Sequence, residues 1–212
     1  MRQFARLFIG ILAAALMAVG ATSALAQEKA KEQDVTQMVV TVCSKCHGMD
    51  GNSESPNYPK LAGQLKVYLL TQLKAFRDQS RKDPDAHIYM WGISQLLDDP
   101  MAKKLADYFS AQKPSRGIPG DAQLTAKGKD IYLGGVKDKK VPACVLCHAR
   151  QGAGIAVFPR LAGQHAKYLV KQIKVFHTDD RPQPGVTITM KAVVERLSDE
   201  EAEQVAAYLQ GL

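Results

Sequence analysis

The residues best equipped for chemistry in this 212-residue chain are four cysteines, and they come in two pairs. Each pair is followed at once by a histidine, giving Cys43-Ser44-Lys45-Cys46-His47 and Cys144-Val145-Leu146-Cys147-His148. Two thiols three positions apart on a helical turn can reach the two vinyl groups along one edge of a porphyrin. The next residue then lies beneath the iron. C-x-x-C-H is therefore the attachment sequence of a c-type haem. Cys43, Cys46, Cys144 and Cys147 are expected to form thioether links to two covalently bound haem c groups, with His47 and His148 as proximal iron ligands. A Cys₄ zinc site wants its pairs about 15–20 residues apart, whereas 97 residues separate Cys46 from Cys144. A thioredoxin-like redox motif needs a βαβ context, which neither region offers. Structural disulfides leave the histidine after both pairs unexplained.

The elements that position these residues occur twice. At an offset of 100, Tyr58-Pro59-Lys60-Leu61-Ala62-Gly63-Gln64 matches Phe158-Pro159-Arg160-Leu161-Ala162-Gly163-Gln164, and the match runs on through Tyr68/Tyr168, Leu69/Leu169, Gln72/Gln172, Lys74/Lys174 and Phe76/Phe176. Ten of the 19 paired positions from 58 to 76 are identical, so the chain is an internal duplication. The copies are expected at 27–116 and 117–212, joined by the Pro/Gly-rich stretch from Lys113 to Gly120. Each copy reads as three or more helices. Leu65, Tyr68, Leu69, Leu73 and Phe76 share one helical face, and His165, Tyr168, Leu169, Ile173 and Phe176 repeat it. The last helices carry start signals: Asp99 as N-cap with Pro100 after it, and the capping-box pattern Ser198-Asp199-Glu200-Glu201. Residues 48–60 and 77–95 show no regular pattern, and strand signals are weak, with Val186–Thr189 read as a β-branched run. The expected fold class is all-α, a few helices in each copy wrapped around a covalent haem that completes a thin core.

A six-coordinate haem of this kind takes Met or a second His opposite the proximal His. Residues 117–212 contain a single Met, Met190. The remaining histidines there, His165 and His177, align with Leu65 and Arg77 and are not repeated. The first copy offers Met38, Met49, Met90, Met101 and His87, of which Met90 alone has a Met partner. Met49 is too near His47 to wrap round the ring, while Met38 and Met101 suit the ordinary role of Met as core filler. Met90 and Met190 follow their histidines by 43 and 42 residues, room enough to circle the haem edge. They are the expected sixth ligands. A ligating His usually donates its other ring N–H to a carbonyl. Pro59 and Pro159, 12 and 11 residues after His47 and His148, are candidates for that carbonyl. The repeated Tyr68/Tyr168 and Phe76/Phe176 are expected as packing against the haems.

The N-terminus reads as an export signal at 1–26: Arg2 and Arg6, an apolar run from Leu7 to Val19, and Ala24-Leu25-Ala26 before a mature start at Gln27. An uncleaved anchor is the alternative, since Leu7–Ala26 is 20 uncharged residues. Either route leads to the periplasm of a bacterium. The net charge of +7 invites a nucleic-acid reading. Two charges leave with the signal, and residues 27–116 and 117–212 keep only +2 and +3. Two propionates on each haem roughly cancel these, so no nucleic-acid partner is expected. What remains is local: Arg81-Lys82 and the Lys137–Lys140 loop, solvated and forming a salt-sensitive docking patch for an acidic redox partner.

With both C-x-x-C-H motifs, both Pro-Lys/Arg-Leu-Ala-Gly-Gln blocks with their Tyr-Leu, and Met90 and Met190 seven residues before Leu97 and Leu197, the chain resembles the dihaem cytochrome c4 family over nearly all of its mature length. The resemblance implies two class I cytochrome c domains about a pseudo-twofold axis, with haem propionates near the interface. It also implies the Pro59 and Pro159 carbonyl bonds to the proximal histidines. The implied function is periplasmic one-electron transfer between a quinol–cytochrome c reductase and a membrane haem–copper terminal oxidase, with peripheral membrane association. The loop Val136–Val141 is absent from the first copy and departs from the duplicated pattern. His/Met ligation leaves no open iron position, so an electron carrier is expected and not an enzyme. Competing readings are a dihaem electron-accepting subunit of a dehydrogenase, such as flavocytochrome sulfide dehydrogenase, a dihaem peroxidase, and a haem-free thiol-redox protein.

Overall fold

A computed structural model describes residues 35–183 and 189–212. The expected signal at 1–26, and positions 186–188 of the β-branched run, lie outside the described residues. Residues 35–42 are helical. From Cys43 onward, α1 (Ser44–His47) is a single turn, followed by α2 (Lys66–Arg77), α3 (Trp91–Gln95) and α4 (Asp99–Ala111). The second copy contributes α5 (Ala122–Gly134), the single turn α6 (Val145–His148), α7 (Ala166–Val175), α8 (Met190–Val194) and α9 (Asp199–Gln210). Among the described residues there is no strand, only isolated bridges at Val136/Val141 and Ile155/Phe158. No described helix is long and apolar enough to cross a membrane.

The helix starts follow local chemistry. Asp98, one residue earlier than expected, caps α4 by accepting the Met101 N–H at 2.8 Å, which places Pro100 within the first turn where its missing N–H costs nothing. Ser198 and Glu201 close a reciprocal capping box on α9, at 3.2 and 2.7 Å. Leu65 and His165 sit in extended backbone just before α2 and α7, so they initiate those helices instead of extending the apolar face. The stretch 77–95 is more regular than its sequence implies. A π-type turn at Ala86–Met90 runs into α3. Its order comes from tertiary contacts that periodicity does not record: Trp91 Nε1 donates to Arg81 O at 2.8 Å, and Arg77 donates to Leu97 O at 3.0 Å.

In the first copy α4 packs on α2, burying Leu69, Phe76, Leu105 and Phe109. In the second, α9 packs on α5 and α7 around Ile131, Tyr132, Leu169, Val205 and Leu209. Gly128 permits the α5–α9 crossing, because a Cβ there would lie 1.8 Å from Gln204 O.

The copies meet through the repeated Pro-x-Leu-Ala-Gly-Gln block. Gln64 donates to Arg160 O at 2.9 Å and accepts the Arg160 N–H at 2.8 Å. Gln164 does the same to Lys60, donating to its carbonyl and accepting its N–H, both at 2.9 Å. Each glutamine thus treats the other copy's backbone as a strand edge, which accounts for two buried amides in mirrored positions. His165 adds a bond from Nε2 to Ser53 O at 2.8 Å. The linker is pinned by Ser115 N donating to Asn52 Oδ1 at 2.7 Å and by Ile118 N donating to Gln210 O at 3.0 Å.

Candidate haem sites

The one-turn helices α1 and α6 present each Cys pair and its His on one short segment. His47 and His148 are buried, at 9 % and 5 % exposure. His47 Nδ1 lies 2.9 Å from Pro59 O, and His148 Nδ1 lies 2.9 Å from Pro159 O. A carbonyl only accepts, so Nδ1 carries the proton in both rings and Nε2 carries the lone pair. Burial lowers both imidazole pKa values, against the opposing pull of the carbonyl, and holds the rings neutral. His148 Nε2 is buried with no hydrogen-bond partner. A buried nitrogen of this kind is costly unless a further group binds it.

The loops after the histidines aim those prolines. In the first copy Gly51 O accepts the Leu61 and Ala62 N–H groups at 2.7 and 3.1 Å; in the second Gly152 O accepts those of Leu161 and Ala162 at 2.7 and 3.0 Å. Both glycines take positive φ, 75° and 64°, which side chains resist. Tyr58 and Phe158 stand edge-on to His47 and His148, with ring centroids 6.3 and 6.2 Å apart. Tyr58 also meets Tyr89 at 5.7 Å, which draws the residue before Met90 toward the His47 cluster.

The thiols of Cys43, Cys46, Cys144 and Cys147 are not joined in disulfides. Burial pushes those of Cys43 and Cys144 up to about 11, so they stay protonated at neutral pH. Met90 ends the π-type turn and Met190 opens α8, both half-buried. The Met190 N–H donates to Gln183 Oε1 at 2.5 Å. The other candidates have different surroundings. Met101 is buried in α4, Met38 is half-buried in the segment 35–42, and Met49 is exposed, its carbonyl accepting from Tyr108. His87 is exposed and packs at a tilt against Trp91, ring centroids 4.5 Å apart, and His177 donates to Val194 O at 2.9 Å. Two thiols outside any disulfide and a buried neutral imidazole in each copy, with an orphaned Nε2 in the second, suit a covalent haem in each copy.

One expectation needs correction and one is refined. Arg81 is not a solvated docking residue: it is 6 % exposed, ion-paired to Asp83 at 2.8 Å, and only Lys82 beside it faces water. The Lys137–Lys140 loop is exposed, but the Val136/Val141 bridge closes it and Lys139 Nζ binds Glu201 at 2.7 Å, leaving Lys137 and Lys140 as its outward charges. Tyr68, Phe76, Tyr168 and Phe176 do more than pack. Arg81 lies 4.7 Å over Phe76, Arg181 lies 4.7 Å over Phe176, and Tyr68 accepts from Arg181. Sequence reasoning passed over the Arg81/Arg181 pair and the bridging roles of Gln64 and Gln164. The offset of 100 that pairs them was the available signal.

Comparison with known proteins agrees with this geometry. The family model described as Cytochrome c matches twice, over residues 21–113 and 125–212. The cytochrome c4 of Stutzerimonas stutzeri is 38 % identical over 209 residues, covering 95 % of this chain and 98 % of its own. The crystal structure of reduced recombinant cytochrome c4 from Pseudomonas stutzeri superimposes with a TM-score of 0.77 at 40 % identity, over 84 % of this chain and 97 % of that one. A thiosulfate dehydrogenase electron acceptor from Thiomonas intermedia is 34 % identical over 172 residues, 79 % of this chain and 76 % of its own.

Proposed function

Because this chain belongs to the dihaem cytochrome c4 family and carries a covalent haem c in each copy, we propose that it is a two-site electron carrier with His47 and Met90 holding one iron and His148 and Met190 the other. The haems supply reversible one-electron Fe(III)/Fe(II) chemistry. The chain's residues do the rest. Cys43, Cys46, Cys144 and Cys147 anchor the two groups. Pro59 O and Pro159 O fix the His47 and His148 tautomers and ring angles, and so strengthen the imidazoles as donors. Met90 and Met190 close the remaining positions, which favours outer-sphere transfer over substrate binding. The observation that carries this reading is the pair of His–Pro bonds, built identically in both copies and leaving a buried Nε2 without a protein partner in the second.

The mature carrier comprises domains 27–116 and 117–212 and works in the periplasm after removal of 1–26. It passes electrons from a quinol–cytochrome c reductase toward a membrane haem–copper oxidase, meeting its partners at the membrane surface. A second reading is favoured by the relative named as a thiosulfate dehydrogenase electron acceptor: the chain accepts electrons from a periplasmic sulfur-compound dehydrogenase. Stable co-purification with such an enzyme selects the second reading; reduction by quinol–cytochrome c reductase and oxidation by membrane vesicles selects the first. The test of the sites is an absorption spectrum with haem quantitation. Two haems per chain are expected, with a weak far-red sulfur-to-iron band in the oxidised protein. Met90→His and Met190→His should each remove about half of that band. A band unchanged by both substitutions refutes the Met assignment.

A further inference from the structure

Between α2 and α7 the copies bury a polar cluster whose arginine, glutamine, tyrosine and phenylalanine positions all repeat, while the partly exposed Lys171–Asp85 ion pair beside it does not. Arg81 and Arg181 occupy equivalent places, stacked on Phe76 and Phe176. Arg81 donates to Gln72 Oε1 at 2.7 Å and to Gln172 Oε1 at 3.1 Å. Arg181 donates to Gln172 Oε1 and Tyr68 OH, and to Gln72 Oε1 at 3.2 Å. Both guanidiniums are buried, at 6 % and 7 % exposure. The symmetry breaks two residues on. Asp83, fully buried, pairs with Arg81 Nε at 2.8 Å, whereas its counterpart is the neutral Gln183. The partners that the structure gives Arg181 in this cluster are all neutral. Asp83 Oδ1 is itself buried without a hydrogen bond.

This position adjoins the Met90 or Met190 segment of its own copy. Gln183 Oε1 accepts the Met190 N–H, and Asp83 stands equally seven residues before Met90, its carbonyl accepting the His87 N–H at 3.1 Å. A buried charge acts through a low effective dielectric and is weakly screened. An uncompensated cation favours the reduced iron, and a neighbouring carboxylate removes that preference. Each haem would bring the same two propionates, whereas Asp83 belongs to one copy alone.

We propose that Asp83 is the residue that makes the two haem sites unequal, lowering the potential of the site built on His47 and Met90 relative to the site built on His148 and Met190, where Arg181 keeps its charge. The singly reduced protein then holds its electron on the second copy, and the first copy is the entry side. This rests on the two-haem, His/Met reading of the sites.

The test is a redox titration of the holoprotein with each haem resolved by paramagnetic NMR. Asp83→Asn should raise the potential of the first haem, leave the second nearly in place and narrow the gap. Arg181→Gln, which leaves the ion pair intact, should lower the second haem and narrow the gap from the other side. Arg181→Lys keeps the charge and should preserve it. Unchanged gaps in both neutralising variants, or equal shifts of both haems, overturn the proposal. If Asp83→Asn does not fold, Arg181→Gln and Arg181→Lys decide it alone. Wild-type protein with fewer than two haems or no far-red band would instead refute the reading of the sites.

Discussion

Replacing Gln64 with Ala tests the interface that makes one carrier of two domains. The side chain spans to the second copy through two bonds to Arg160, at 2.9 and 2.8 Å, and its Oε1 also accepts the Leu65 N–H at 3.0 Å. Truncation leaves a backbone N–H and C=O of Arg160 without their partners. Each such group costs about 1–3 kcal/mol when water cannot reach it and about 1 kcal/mol when it can. Arg160 is half-buried, so the low end of that range applies, about 1–1.5 kcal/mol for each of the two groups, and the expected loss is about 2–3 kcal/mol. For a chain of this length each kcal/mol lowers Tm by roughly 2–4 °C, giving about 4–12 °C. Gln164→Ala, which strips Lys60 of its mirrored pair, should cost the same. The double variant should approach the sum, because each glutamine bonds a different residue. The assay is thermal unfolding of the oxidised holoprotein by circular dichroism, with the visible spectrum confirming two intact haems. Melting of both single variants and the double within about 2 °C of wild type, with haems retained, would show that the reciprocal amides do not hold the copies together.

Other outcomes follow from the same geometry. Gly128→Ala would ordinarily favour a helix by up to about 1 kcal/mol, but here its Cβ meets Gln204 O at 1.8 Å; a net loss of about 2 kcal/mol or more is expected by denaturant titration, while Gly134→Ala, with open space around it, should be neutral or mildly stabilising. His165 has its pKa lowered, chiefly by burial, so the folded state holds it neutral while the unfolded state takes up a proton below about pH 6.5. Stability should therefore fall as pH drops through that region, and His165→Gln, which can still donate to Ser53 O, should flatten the fall in unfolding curves between pH 7.5 and 5. Phe76→Leu and Phe176→Leu remove the ring faces under Arg81 and Arg181 and should each cost roughly 1–2 kcal/mol, read by urea unfolding.

The sequence by itself determined the cofactor, the duplication and the fold class, because these depend on local, repeated patterns. C-x-x-C-H states its chemistry within five residues, and an offset of 100 between matching blocks states that the chemistry is done twice. Capping was legible to within a residue, since Ser198 and Asp98 act on their own first turns. Charge was the misleading signal. Arg81 reads as a surface cation beside Lys82, yet the fold buries it against Phe76, Asp83 and a glutamine from the other copy. The π-type turn ending at Met90 was likewise invisible, being held by Trp91 bonding back to Arg81 and by Tyr89 packing on Tyr58. Only the tertiary structure decided what Gln64, Gln164 and Arg181 do, because their partners lie on the opposite copy or across a buried cluster, and that Asp83 is buried against Arg81 instead of facing water. A linear pattern records which residues repeat. Which repeat faces which, and where the repetition fails, is settled when two similar halves close on each other and bury what lies between them.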